Sequence, residues 1–241
     1  NAKSLAKATV TLGTTSYTYS GTAKKPAVNS VMLGTASLTK DTDYKVSYSN
    51  NTNAGTATVT ITGKGNYTGT AKKTFTIKAK SVTPAVTLSA TSYVYNGSVR
   101  KPTVTVKAGS TKLTTASYTV TYASGRKAVG TYKVTVKLKG NYSGSKTVSF
   151  KIVPKGTTVS SVTALSKGFT VKWAKQATQT TGYQIQYSTT KGFTSGNKTV
   201  TVTGTGTLSK KITGLASGKT YYVRVRTYKT VSGTKYYSAW S

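Results

Sequence analysis

Apolar and polar residues alternate along most of the chain. In "ATVTIT" (Ala57 to Thr62) and "YKVTVKL" (Tyr132 to Leu138) the Val, Ile and Leu side chains fall on one face and Thr or Lys on the other. That period of two is the signature of a strand with one face buried and one in water. Thr, Val and Tyr, which favour extended backbone, are abundant throughout, with 18 Tyr. Between the alternating runs stand "SNNTNAG" (Ser49 to Gly55), "GKGNYTG" (Gly63 to Gly69), "ASGRKAVG" (Ala123 to Gly130) and "LKGNYSG" (Leu138 to Gly144). These predict tight turns in which Gly and Asn adopt positive φ. Short strands at spacings of about 8–12 residues predict antiparallel β-sandwiches, and no stretch carries a helical period.

The pattern is also repeated. "SYTYSGTAKKPAV" (Ser16 to Val28) matches "SYVYNGSVRKPTV" (Ser92 to Val104), so that Tyr17, Tyr19, Gly21 and Pro26 correspond to Tyr93, Tyr95, Gly97 and Pro102. "DYKVSYSNNTNAGTATVTITGKGNY" (Asp43 to Tyr67) matches "SYTVTYASGRKAVGTYKVTVKLKGNY" (Ser117 to Tyr142), and both copies close on Phe-x-Ile. A different run of strands follows "VPKG", ending in "TKYYSAWS". The 241 residues thus predict an all-β chain of three consecutive antiparallel β-sandwich domains, at 1–78, 79–153 and 154–241, each large enough for its own core.

The third segment resembles a fibronectin type III domain over about residues 156–241, on Trp173, Tyr183, Tyr187 and the six-residue step from Leu215 to Tyr221 in "GLASGKTYYVRV". The resemblance implies a tyrosine corner, in which the Tyr221 hydroxyl bonds nearby backbone. Ala216, Ser217 and Gly218 occupy the turn where that family usually carries proline. The first two segments resemble the bacterial immunoglobulin-like repeats of secreted and surface proteins of Gram-positive gut clostridia. The likeness rests on "YxYxG" with its following Pro, on "DYKVSY" (Asp43 to Tyr48), on "NAGTATVTITGKGNYTGT" (Asn53 to Thr70) and on the closing "FTI". It implies a bacterial extracellular or cell-surface location and a role as stalk or attachment module between other domains of a parent protein. "NAKSLAKATV" lacks the charged-then-apolar order of a signal peptide, and no segment approaches the roughly 18 apolar residues of a membrane span; the chain reads as an excised or mature portion.

Charge changes this picture most. Thirty-five Lys and Arg face two acids, for a formal +33 spread over all three segments. Disorder is the first alternative, but 36% hydrophobic and 10% aromatic residues in strict alternation favour folding. A compact chain of this mass exposes on the order of 10,000 Å², placing excess charges roughly 17 Å apart, beyond the screening length of about 8 Å in physiological salt. Only Arg100, Arg126, Arg224 and Arg226 are arginine. Lysine is a flexible point charge without arginine's planar fork, so the surface suggests diffuse attraction to a polyanion. Solvation of strand faces explains lysine but not the missing acids, which solvate equally well. Candidate contacts are Lys24, Lys25, Lys72, Lys73, Arg100, Lys101, Arg126, Lys127, Lys210 and Lys211. Cell-wall polymers rank first as partners, host glycans next, then non-specific nucleic acid in vitro, since no nucleic-acid module is present.

Catalysis finds little footing. There is no Cys and no His, which removes the commonest metal ligand and general base, and no cofactor or metal is expected. Asp41 and Asp43 in "KDTDY" are expected to accept backbone N–H groups in a turn; they are the only acids available to an isopeptide cross-link. "SLAK" (Ser4 to Lys7), "SLTK" (Ser37 to Lys40) and "SGNK" (Ser195 to Lys198) fit S-x-x-K without its companion motifs, and read as chance. Trp173 reads as core. "YYSAWS" (Tyr236 to Ser241) resembles the W-S-x-W-S box of cytokine-receptor fibronectin domains, so Arg224 and Arg226 are placed to stack on Tyr237 and Trp240. That face is either a strand-edge ladder, the preferred reading, or the ligand site of an adhesin for a host glycan or protein. The sequence as a whole points to a non-enzymatic structural and attachment region.

Overall fold

A computed structural model of the chain describes residues 1–241. Helix is confined to two three-residue 3₁₀ turns, Leu5–Lys7 and Thr115–Ser117, and the remainder is strand and turn. In the first repeat Thr9–Leu12, Val28–Leu33 and Ala36–Ser37 form a three-stranded sheet, and Ser16–Thr18, Thr70–Lys78, Gly55–Gly63 and Tyr44–Ser49 a four-stranded one, each in that order. The second repeat has the same two sheets, Ala85–Leu88, Val104–Ala108, Thr111–Lys112 and Ser92–Val94, Ser145–Val153, Gly130–Leu138, Tyr118–Tyr122. The third segment sets Val159–Leu165, Gly168–Trp173 and Ser209–Thr213 against Lys198–Thr203, Gly182–Ser188, Tyr222–Val231 and Thr234–Tyr237.

Two compact units are formed, with the division inside the second repeat: one holds 1–87, 105–120 and 135–146, the other 88–104, 121–134 and 147–241. The antiparallel rule has a repeated exception. Ser16–Thr18 pairs parallel with Thr70–Lys78, and Ser92–Val94 parallel with Ser145–Val153. Parallel partners need a long connection, and here nearly the whole repeat lies between them.

Alternation delivers the core as expected. Val59 and Ile61 on one strand and Phe75 and Ile77 on its neighbour are buried with Val10 and Val31. Val134, Val136, Phe150 and Ile152 are buried at the corresponding places of the second repeat. Trp173, Tyr183, Ile185 and Val225 centre the third core.

Turn chemistry is less uniform than the sequence suggests. Gly65 and Gly140 do take positive φ, at 63° and 70°, and so does Asn50 at 53°, but Asn51, Asn53, Asn66 and Asn141 do not. Those asparagines are free to use their side chains for something other than bending the chain.

A tyrosine fastens each repeat. The Tyr48 hydroxyl donates to the Pro26 carbonyl at 2.8 Å, and Tyr122 to Pro102 at 2.7 Å. This ties the "DYxVxY" strand to the loop after "YxYxG", which is why Tyr and Pro recur together. Burial, with the neighbouring Tyr17 adding, raises the Tyr48 hydroxyl above its ordinary value. The native state therefore holds this proton longer than the unfolded chain, and the associated stability is complete below pH ~10 and lost as pH rises through the native value. Tyr48→Phe is expected to cost about 1 kcal/mol in urea unfolding at pH 8, with the deficit shrinking above pH ~10 as the parent loses its donor. A deficit that stays constant to pH 11 would contradict this assignment.

Candidate functional site

The two acids occupy one turn at the surface. The Asp43 carboxylate accepts the Thr39 N–H at 2.8 Å, as expected, and its carbonyl accepts the Lys64 N–H at 2.9 Å. Asp41 departs from expectation: it sits at φ 68° and works through its main chain, its N–H donating to the Tyr44 carbonyl and its own carbonyl accepting from the Lys64 ammonium. In the second repeat Ser117 replaces Asp43, and Lys139 N–H still donates to its carbonyl at 2.8 Å. The backbone thus carries the shared part of this turn. Neither acid is buried, unlike the enclosed carboxyl an isopeptide bond requires. Of the S-x-x-K serines, Ser4 accepts the Ala6 N–H at the start of the 3₁₀ turn, and the Ser195 hydroxyl pairs with that of Thr190 at 3.3 Å.

Basic side chains divide sharply by type. Every lysine except Lys24 and Lys229 is exposed, whereas all four arginines are half-buried. Lys25, Lys72, Lys73, Lys101, Lys127, Lys210 and Lys211 are among the exposed ones, and Lys24 turns back on the Ser20 and Thr22 hydroxyls. Arg100 and Arg126, expected as polyanion contacts, are engaged internally. Arg126 Nε donates to the Arg100 carbonyl at 3.0 Å and another of its nitrogens to Ala123; Arg100 Nη2 donates to the Val94 carbonyl at 3.0 Å. Their planes lie over Tyr122 and Tyr93, each 5.1 Å from the ring centre. In the first repeat the Asn51 amide does Arg126's work, donating to the Lys24 carbonyl at 2.8 Å. Because Arg100 N–H also donates to the Arg126 carbonyl at 2.8 Å, the fold gathers Arg100, Lys101, Arg126 and Lys127 at one place, in a stretch (79–241) without any acid.

Arg224 and Arg226 form a longer ladder. Strand register sets Arg226 opposite Gln184 and Arg224 opposite Gln186. Arg226 Nε and Nη2 donate to Gln184 Oε1 at 3.0 and 2.7 Å, and Arg224 Nε to Gln186 Oε1 at 2.9 Å. The glutamine Nε2 groups donate onward to Thr201 at 3.3 Å and Thr199 at 3.2 Å, so each amide is used as both donor and acceptor. Over these rows the guanidinium planes alternate with rings. Arg226 lies 3.9 Å from the Tyr237 ring centre and 4.2 Å from Trp240; Arg224 lies 4.8 Å from Trp240 and 4.0 Å from Phe193. Burial lowers the Arg226 guanidinium from its ordinary value, with Tyr237 opposing and the Arg224 charge adding.

The serines of the "YSAWS" box hold its rings in place. Ser238 and Ser241 hydroxyls accept the N–H groups of Thr227 at 3.1 Å and Val225 at 3.0 Å, while their own N–H groups donate to the carbonyls of the same two residues. The segment therefore runs along the strand Tyr222–Val231 as a continuation of its neighbour. Sequence spacing places the arginines, Tyr237 and Trp240 in the ladder. It misses Gln184 and Gln186, which need strand register, and Phe193, which stands in a loop at φ 53°. Trp173 is core, 2% exposed and 5.4 Å from the Tyr183 ring. Tyr221 makes the expected corner, its hydroxyl accepting the Ala216 N–H at 3.3 Å.

Two amides carry contacts invisible to pattern reading. Asn141 Oδ1 accepts the Ala54 N–H at 2.8 Å and its Nδ2 donates to Asn53 Oδ1 at 2.9 Å. Gln179 Oε1 accepts the Val129 N–H at 3.0 Å from a backbone at φ 54°, a left-handed conformation that non-glycine residues seldom hold without a reason. Ala54 and Val129 are the same position of the two repeats.

The MBG domain profile matches residues 8–81 and 84–156, together more than half of the chain, and the fibronectin type III domain profile matches 152–241. Among solved structures the chain is similar to chicken CNTN1 FN1-FN3 domains (20% identity, 77% of this chain and 74% of that one, TM-score 0.31). It is also similar to titin domains A168-A170 (14%, 97% and 98%, TM-score 0.27) and to a two-domain fibronectin type III segment of chicken tenascin (17%, 82% and 98%, TM-score 0.29). No curated protein matches. No helix is long and apolar enough to cross a membrane.

If the ladder is a structural fastener, Trp240→Ala removes two cation–π contacts and should cost about 1–3 kcal/mol in urea unfolding followed by the fluorescence of the remaining core tryptophan, Trp173. An unchanged midpoint would show that the Trp240 ring contributes nothing to the fold.

Proposed function

Because the chain belongs to the MBG-domain family, with a fibronectin type III match following, we propose that it is a non-catalytic stalk and attachment region of a bacterial secreted or cell-surface protein. It holds to anionic polymers, cell-wall polymers first, through its lysines. Domains of both kinds are typical of extracellular proteins and are typically non-catalytic, which supports the coarse part of this reading.

The observation that carries the finer part is the division of labour among the cations. The four arginines are half-buried and engaged by rings, carbonyls and glutamines, whereas all lysines but two are exposed, a few of them, such as Lys64, Lys101 and Lys235, also touching a carbonyl or a ring. With 35 basic residues against two acids, nearly all of these charges are left without a side-chain carboxylate. Such ammonium groups form weak, interchangeable contacts with phosphate or sulfate and impose no fixed geometry. The arginine ladder is poorly placed as a defined glycan or protein pocket, since its planes and Nε edges already have partners.

Binding to isolated Gram-positive cell walls, heparin and duplex DNA across a salt series tests this. If about four phosphates are engaged, affinity should fall on the order of 100-fold between 50 and 200 mM salt, on all three polymers, and Arg226→Lys should leave it unchanged. Saturable, salt-insensitive binding to one ligand that Arg226→Lys abolishes would replace this reading with that of an adhesin.

A further inference from the structure

The Gly-Asn-Tyr turn of each repeat receives the chain segment that leads into that repeat, and the segment is the same in both cases. Ala79-Lys80-Ser81, which joins the first repeat to the second, has its counterpart in Ala2-Lys3-Ser4. Lys80 pairs parallel with Tyr142 and its N–H donates to the Asn141 carbonyl at 2.9 Å. Lys3 pairs parallel with Tyr67 and its N–H donates to the Asn66 carbonyl at 2.9 Å. Asn66 and Tyr67 are therefore presented just as Asn141 and Tyr142 are.

On the second repeat this plate has an occupant. The Asn141 amide clasps the Asn53 side chain and Ala54 N–H of the preceding repeat, and the Tyr142 ring meets Tyr19 edge-on at 5.5 Å and 78°. Asn53 and Ala54 lie in the "NAG" loop before Gly55, which the second repeat carries as Ala128-Val129 before Gly130, and Tyr19 is the second tyrosine of "YxY", present in both repeats as Tyr19 and Tyr95. The same loop N–H is used a second time, by Gln179 upon Val129, so the loop acts as a general donor toward whatever module follows. On the first repeat Asn66 is exposed, whereas Asn141 is half-buried under its partner.

We propose that Asn66 and Tyr67 form the docking face for a further immunoglobulin-like repeat of the same type, supplied ahead of Ala2 in the same polypeptide and joined through Ala2–Ser4. Its "NAG" loop lies on the Asn66 amide and its second tyrosine meets Tyr67. A free second copy is excluded on energetic grounds. Two hydrogen bonds and one ring contact fall short of the translational and rotational freedom that a separate partner loses, whereas a short linker makes the contact intramolecular.

The test lengthens the chain by duplicating residues 2–78 ahead of Ala2, so that Lys78 is followed by Ala-Lys-Ser at both junctions. Hydrogen exchange is then read at the Ala54 amide of each copy. Both should be protected. Asn66→Ala in the second copy should speed exchange only at Ala54 of the added copy, by about tenfold, and Asn141→Ala only at Ala54 of the original, a factor that one ordinary hydrogen bond supports. Asn66→Asp, which keeps the acceptor, should retain the protection, separating loss of the contact from disturbance of the turn. The proposal is overturned if the added Ala54 amide exchanges at the same rate with Asn66 and with Ala at that position. It falls equally if Asn141→Ala leaves the original Ala54 amide unchanged, because the pattern it extends is then absent.

Discussion

Near-absence of carboxylates is the constraint under which the rest of this structure is arranged. Proteins usually restrain buried or half-buried cations with Asp or Glu; with two acids for 35 cations, that solution is closed to almost all of them. The arginines are engaged instead by neutral groups, tyrosine, tryptophan and phenylalanine faces, backbone carbonyls and glutamine oxygens, although Arg100 Nε is buried without a hydrogen-bond partner. Such pairings suit guanidinium, which is planar and weakly hydrated, and suit ammonium poorly. The lysines, all but Lys24 and Lys229, consequently lie exposed, where water and salt screen them.

The same constraint shapes how the repeats are joined. Contacts from one repeat to the next module are made by side-chain amides on backbone N–H groups, Asn141 to Ala54 and Gln179 to Val129, with a tyrosine pair beside the first. The amide contacts carry no charge, so they do not weaken as salt screens charge. Joints made this way keep their contacts whatever the ionic strength around the exposed lysines.

Much of this was legible in the sequence because it follows from period and spacing. Alternation located the strands and the buried Val, Ile and Phe; Leu215 and Tyr221 announced the corner; Arg224, Arg226, Tyr237 and Trp240 announced a ladder. Where reading failed, the missing information was relational. Gln184 and Gln186 look like ordinary outward residues until register sets them opposite the arginines, and Phe193 joins them from a loop with no period at all. The asparagine of Lys-Gly-Asn-Tyr looked like turn chemistry in both copies, yet glycine alone bends that turn, and Asn141 reveals its use only beside the loop it clasps. Arg100 and Arg126 counted as surface charge for the same reason, since nothing in a linear string shows a carbonyl waiting above a tyrosine.

The folded chain exposes 13612 Å², which spreads a formal +33 at about one excess charge every 20 Å, inside the screening length of about 30 Å in 10 mM salt and outside that of about 8 Å at 150 mM. Thermal unfolding across this range of sodium chloride is the most direct test of a protein fastened by neutral partners and strained by free lysines. Unfolding temperature should rise from 10 to 150 mM and then level off. A steady fall with added salt, the mark of a fold held by ion pairs, would contradict the account.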